Sequence, residues 1–264
     1  MNNRNHSSFS IERVVGLLAN EVSLRFRSAL LVSAVIVSLM MLSHLMQELY
    51  NDGGGDSSVV AEWLGRILLI WGVIEACSVF DDMHDRNRMA SFLLLPASAL
   101  EKTTAKFLLV SFVFAAFILA LGSVASILCA IVSFLSVGKL ITPPALFDAD
   151  SAATFQTFLV AQSIFFLGSA WFRKSQMTKT ALSVLILVLS IFALLIFLVW
   201  VFMPDAVFNN PDTSIDFDEF LSDYGDFYLG ILEILSTVAF IAVPVICFAI
   251  AWMRVREVQL SDGV

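Results

Sequence analysis

Four stretches of this chain carry side chains that could do chemistry. Glu75 lies inside an apolar run, five residues before Phe80 at its end. An unpaired carboxylate in such a run costs a few kcal/mol. Glu75 therefore either lines a path for a substrate or a proton, or is satisfied by a partner helix or by water from the near side. Asp81-Asp82-Met83-His84-Asp85 follows at once. Acids beside an imidazole could hold a cation, and an acidic start to a solvated loop has the same composition. Ile215-Asp-Phe-Asp-Glu-Phe220 has the look of the end of an EF-hand loop with Glu219 as its twelfth position. Counting back puts Phe208 at the first ligand position and Thr213 where glycine is required, so the match fails. What remains there is an acidic loop that could hold a divalent cation only loosely. Ser98-Ala-Leu-Glu101 has the spacing of a capping box: the serine hydroxyl accepts from the amide of Glu101, and the carboxylate returns to the amide of Ser98.

Other chemistries are absent from the sequence. It holds no Gly-x-x-x-x-Gly-Lys-Ser/Thr loop to cradle a phosphate and no His-Glu-x-x-His pair, and His6, His44 and His84 are scattered. No catalytic, cofactor or metal site is expected, and the chain is not expected to be an enzyme. Cys77, Cys129 and Cys247 all sit in apolar runs without ligand spacing, as buried free thiols do.

The elements that position these residues are membrane spans. Apolar residues make up 59% of the 264 and charged residues 14%, against about 45–50% and about 25% in soluble domains. Six runs reach the roughly 20 residues needed to cross hydrocarbon, at about 29–47, 63–80, 107–135, 155–172, 181–203 and 230–252. The expected fold is all-α: a single polytopic domain of six transmembrane helices, entered through an amphipathic helix at 9–28 that lies in the interface. The third run is overlong and invites a tilt, or a break near Gly122 or Ser133. The fourth carries Gln156, Gln162, Ser163 and Ser169, polar groups that face other helices rather than lipid. The polar first eight residues lead into no short h-region and cleavage site, so no cleaved signal peptide is expected.

Cations give the orientation. With the N-terminus inside, thirteen of the fifteen Lys and Arg fall on the cytoplasmic side and only Arg66 and Lys139 outside. The reverse topology inverts that ratio. Both termini are therefore expected in the cytoplasm. Residues 81–106 become a cytoplasmic loop and 204–229 an acidic outer loop, where aromatics among the acids suggest a short interfacial helix. Within 81–106, Pro96 stops the preceding segment, the Ser98–Glu101 box starts the next helix, and Lys102 and Lys106 sit one turn apart ahead of the third span.

At this point the residues carry a resemblance. Phe92-Leu-Leu-Leu-Pro-Ala-Ser-Ala-Leu-Glu-Lys102 resembles the leucine-proline-alanine-serine, then glutamate-lysine signature after the second span of a group of bacterial type-2 ABC transporter permeases. These are membrane subunits of exporters without an ATPase domain of their own. Phe166-Leu-Gly-Ser-Ala-Trp-Phe-Arg-Lys174 with Lys179-Thr180 is similar to their segment leaving the fourth span. Arg254-Val-Arg-Glu-Val-Gln259 is similar to their C-terminal tail. The resemblance implies a permease in the bacterial inner membrane, surrounded by lipid. It would work as a homodimer or with a related permease, and pair with separate cytoplasmic ATPase subunits rather than with nucleic acid. The implied docking segments are the interfacial helix with Glu12 and Arg13, and the loop from Asp81 to Lys102. That loop holds Asp81, Asp82, Asp85, Arg86, Arg88, Leu95, Pro96, Ser98, Glu101 and Lys102. Candidates for the substrate path are Glu75, Gln156 and Gln162. The region 204–229 is more acidic than the resemblance leads one to expect, and no substrate follows from it.

Two other classes fit a six-span chain. One is a membrane scaffold or sensor subunit that binds a partner and moves nothing. The other is a secondary transporter, which usually shows inverted repeats and broken helices with midplane charges; neither is evident here.

Overall fold

The structure, a computed structural model, describes residues 9–50, 58–85, 89, 94, 97–138, 149–173, 175–202 and 217–261. It is all helical, with no strand among the described residues. In chain order the helices are α1 (Ile11–Tyr50), α2 (Ser58–Ser78), a single turn α3 (Asp81–His84), α4 (Ala99–Leu108), a π-helical turn (Leu109–Val113), α5 (Phe114–Val137), α6 (Ala149–Trp171), α7 (Gln176–Phe202) and α8 (Phe217–Ser261). Six helical stretches are long and apolar enough to cross a bilayer, and this is a multi-pass membrane protein.

Three boundaries differ from expectation. The interfacial helix at 9–28 is not a separate element, because Ile11–Tyr50 is one helix of 40 residues. No Gly or Pro lies between Leu17 and Tyr50, so nothing interrupts the backbone ladder as polar composition gives way to apolar. At about 1.5 Å per residue α1 is about 60 Å long, twice the hydrocarbon thickness. The third span starts at Ala99 rather than near 107, since α4 runs through the π turn into α5. Likewise residues 217–229, assigned to an outer loop, are the first turns of α8. The rest of the expected loop, 204–216, lies outside the described residues.

The expected break near Gly122 or Ser133 does not occur. Both residues lie in regular helix, and the irregularity is the π turn at Leu109–Val113, nearer the start of the span. Gly122 serves instead as a point of close approach: a Cβ there would overlap the Leu64 side chain of α2. Gly168 does the same for α6 against Thr180 of α7. Small residues that let helices touch are the usual cement of membrane bundles, where no hydrophobic drive separates protein from lipid.

Two apolar clusters fill the bundle around α6, which packs between α2 and α8. One joins the end of α2 to α4, α6 and α8 through Val79, Phe80, Phe166, Ala170, Ala251 and Val255. The rings of Phe80 and Phe107 stack against Phe166 at 5.1 and 5.3 Å, and Phe107 also meets Phe248. The other joins α1, α2, α5 and α6 through Met40, Leu64, Phe114, Ile118, Cys129 and Phe158. The three cysteines are buried and free. Helix α7 stands apart, leaning on α6 and α2 near its start and exposing Leu185, Leu189, Phe192 and Ile196.

Replacing Gly122 with Val should destabilise the bundle by about 1–3 kcal/mol through overpacking against Leu64. Gly16 has nothing within 4 Å of a Cβ, so Gly16→Ala in the same helix-interior setting should raise stability by about 0.5–1 kcal/mol. Thermal unfolding in detergent micelles reads both.

Candidate functional site

The beginnings of α1 and α4, the ends of α2 and α6 and the turn α3 meet at one end of the bundle, and there the sequence-predicted residues gather. Helix α4 begins as its sequence dictates. Ser98 is extended (φ −68°, ψ 159°), its hydroxyl accepts from the Glu101 amide at 3.3 Å, and its own amide donates to Glu101 Oε2 at 2.8 Å. The second carboxylate oxygen has a further role. Glu101 Oε1 accepts from the backbone amide of Ser10 at 2.8 Å, the residue just before α1. One carboxylate thus caps two helix starts, one of them 91 positions before it in the chain. Its side chain is fully buried, and Arg13 Nη1 approaches its Oε2 at 3.5 Å.

From this joint the first four turns of α1 run alongside α4 and α2, and a ladder of opposite charges descends between them. One rung is Lys106, whose ammonium donates to Glu21 Oε1 at 3.3 Å and to the Val79 carbonyl at 2.7 Å. It also lies 3.7 Å from Asp82 and above the Phe80 ring. A cation is well placed at the carbonyl end of α2. The next rung inward is Arg25, which donates to Glu75 Oε2 at 2.8 Å and lies 3.6 Å from Glu21. Trp71 Nε1 donates to the other Glu75 oxygen at 3.2 Å. Glu75 is therefore paired twice, which makes its burial in an apolar run tolerable.

Below Arg25 and Glu75 opens a cleft of about 90 Å³. Val22, Phe26 and Ala29 of α1 form one side and Trp71 of α2 a second. The third is the π turn and start of α5, from Leu109 to Phe117. The π turn has a partner of its own: Gln162 Nε2 of α6 donates to the Val110 carbonyl. A π turn pushes one carbonyl out of the regular ladder, and here a buried amide from the neighbouring helix accepts the task of satisfying it. Ser111, fully buried in the same turn, has no hydroxyl partner. The regularly helical Ser126, Ser163 and Thr180 return theirs to the carbonyl four residues back.

The expected site residues separate accordingly. Glu75 lines the cleft, Gln162 holds its wall from behind, and Gln156 is exposed on α6 away from it. Among the docking candidates, Glu12, Asp81 and Asp85 are exposed, and Arg13, Asp82 and Ser98 are partly buried. The side chains of Glu101 and Lys102 are buried, so what they offer a partner is the backbone they hold and not a contact. Arg86, Arg88, Leu95 and Pro96 lie outside the described residues. Of the Asp81–Asp85 cluster, Asp82 turns to Lys106 and His84 Nε2 meets the Ser169 carbonyl at 2.9 Å, tying α3 to the end of α6. No three His, Cys, Asp or Glu among the described residues come together as metal ligands.

Sequence reasoning missed Arg25 as the partner of Glu75, Glu21 as that of Lys106, and the π turn. The signal for the first was only that each is a charge near the end of its run on the same side of the bundle, of opposite sign. Counted from the run ends, Arg25 lies four residues outside its apolar run and Glu75 five residues inside the antiparallel one, so depth in the sequence did not pair them and only the helix packing does.

No protein family, curated protein or solved structure matches this chain.

Two substitutions probe the joint and the ladder. Glu101→Ala should cost about 1–3 kcal/mol for each of the two backbone amides it leaves without an acceptor, against about 1 kcal/mol for Ser98→Ala, which removes only a cap acceptor. Arg25→Ala and Glu75→Gln should be non-additive, with a coupling of about 0.5–3 kcal/mol in a double-mutant cycle. Reversible unfolding in mixed micelles measures each.

Proposed function

We propose that this chain is the membrane-spanning permease subunit of an ATP-binding cassette exporter in a bacterial inner membrane, with both termini in the cytoplasm and hydrolysis carried out by separate ATPase subunits. The observation that carries the reading is the Glu101 joint. It joins the starts of α1 and α4, and with the Asp82–Lys106 contact that adds the α3 turn they form one stiff unit at the end of the bundle that holds most of the cations. A partner pressing on Glu12, Asp81 or Asp85, all exposed on that unit, would push on α1 and α4 together. Both continue without a stop into spans. Energy has to arrive from another chain, because this one has no phosphate-cradling loop.

In this reading Glu75 and Arg25 guard the inner end of the substrate path, and the cleft beneath them is part of that path. Pairing with a second copy or a related permease completes the transporter. A scaffold or sensor subunit would use the same stiff unit to hold a partner and would show no coupled turnover.

Co-expression with the ATPase encoded beside its gene, purification, and reconstitution in liposomes tests the reading. ATP turnover should rise when the chain joins the ATPase, and Asp81→Lys with Asp85→Lys should cut that rise about tenfold or more, the effect of about 1.4 kcal/mol lost at the contact. Glu75→Gln should keep the complex intact and change turnover coupled to transport. An ATPase that binds with no change in turnover favours the scaffold reading, and no ATPase in the purified complex rejects both.

A further inference from the structure

The cleft below Arg25 and Glu75 has a polar end and an apolar end. Counting away from the start of α1, Val22 and Arg25 come first, then Phe26 and Ala29. Counting back from the end of α2, Glu75 comes first, then Trp71. Going forward from α4, the π turn is followed by Phe114 and Phe117. On α1 and α2 the lining passes from the charged pair to Phe26, Ala29 and Trp71 in one direction along the bilayer normal, and the third side, from Leu109 to Phe117, is apolar throughout. Phe26 lines it and is 53% exposed, so the cleft opens sideways to whatever surrounds the bundle. At this depth of a spanning helix that surrounding is lipid.

We propose that the cleft holds one acyl chain of a phospholipid from the surrounding bilayer, lying between α1 and the π turn with its headgroup beside the Arg25–Glu75 pair. Arg25 is engaged by Glu75 and Glu21, and Glu75 by Arg25 and the Trp71 indole, while Phe26, Ala29, Val113, Phe114 and Phe117 below them carry no polar side-chain atom. Below the charged pair the interior therefore offers an occupant dispersion contacts, which suits a hydrocarbon chain better than a polar solute. The π turn builds one wall, and Gln162 fixes that wall by holding the Val110 carbonyl from the opposite side. Gln162 is thus a positioning residue for the site, without touching the chain. The inference rests on the membrane reading and not on an ATPase partner.

The test uses the full chain in nanodiscs of phosphatidylethanolamine and phosphatidylglycerol containing a small fraction of phosphatidylglycerol with a diazirine in one acyl chain. After irradiation, labelled peptides are mapped by mass spectrometry. Residues 22–29 and 109–117 should take up at least about threefold more label per residue than 182–197 of α7, whose exposed surface reports ordinary lipid contact, a difference of about 0.65 kcal/mol in occupancy. Val113→Phe, and separately Ala29→Leu, should remove that excess and leave α7 labelling unchanged. Gln162→Leu should lower it and Gln162→Asn should lower it less. Each variant is checked for a single symmetric peak on size-exclusion chromatography, and the second filling variant stands if the first fails to fold. Labelling no greater in the cleft than on α7, an excess untouched by both filling variants, or labelling by a diazirine fatty acid but not by the phospholipid overturns the proposal. None of these results depends on whether an ATPase binds.

Discussion

A single buried carboxylate sets the arrangement of one end of this protein. Helix starts leave amides without partners, and Glu101 supplies acceptors to two of them, the Ser98 amide of its own helix and the Ser10 amide ahead of α1. A buried anion is costly unless its lone pairs are filled and its charge is met. Here two backbone donors, a serine hydroxyl at the cap and the nearby Arg13 do so. Fixing the start of α1 against the start of α4 leaves the next turns of α1 no choice but to run beside α2 and α4. Glu21 then falls opposite Lys106 and Arg25 opposite Glu75 without any loop to steer them.

The ladder that follows explains how so many charges enter a membrane bundle. Each rung is closed: a cation shares two carboxylates, a carboxylate shares a cation and an indole, and Lys106 adds a helix-end carbonyl. Pairs of this kind contribute little net stability over apolar packing but punish the loss of one member, so they favour register over strength. Register is what the continuous α1 needs. It has no turn or proline to set its height, and a slide by one turn would open every rung at once.

Much of this was legible in the chain. The six spans followed from run length and the start of α4 from Ser98 and Glu101. Those signals are local, and local sequence carries them. The pairings that build the site are not local. Arg25 and Glu75 are 50 positions apart, and nothing in either neighbourhood names the other. The separate interfacial helix was expected because composition changes near residue 28, but composition does not break a helix; a glycine or proline would have. Gln156 and Gln162 looked alike in sequence, and only the packing of α6 against the π turn tells them apart.

The π turn can also be described as a phase correction. Buried positions step by four through this region: Lys106, Val110, Phe114, Ile118, Gly122. In an α-helix each such step drifts by about 40°, since residues turn by about 100°. Over several steps the buried stripe would wind off the face that meets α1 and α2. One wider turn takes up an extra residue and holds the stripe on the same side. The charged contacts of α4 and the apolar contacts of α5 thus share one direction, and a chain with one residue fewer between Leu109 and Val113 would have to choose between them.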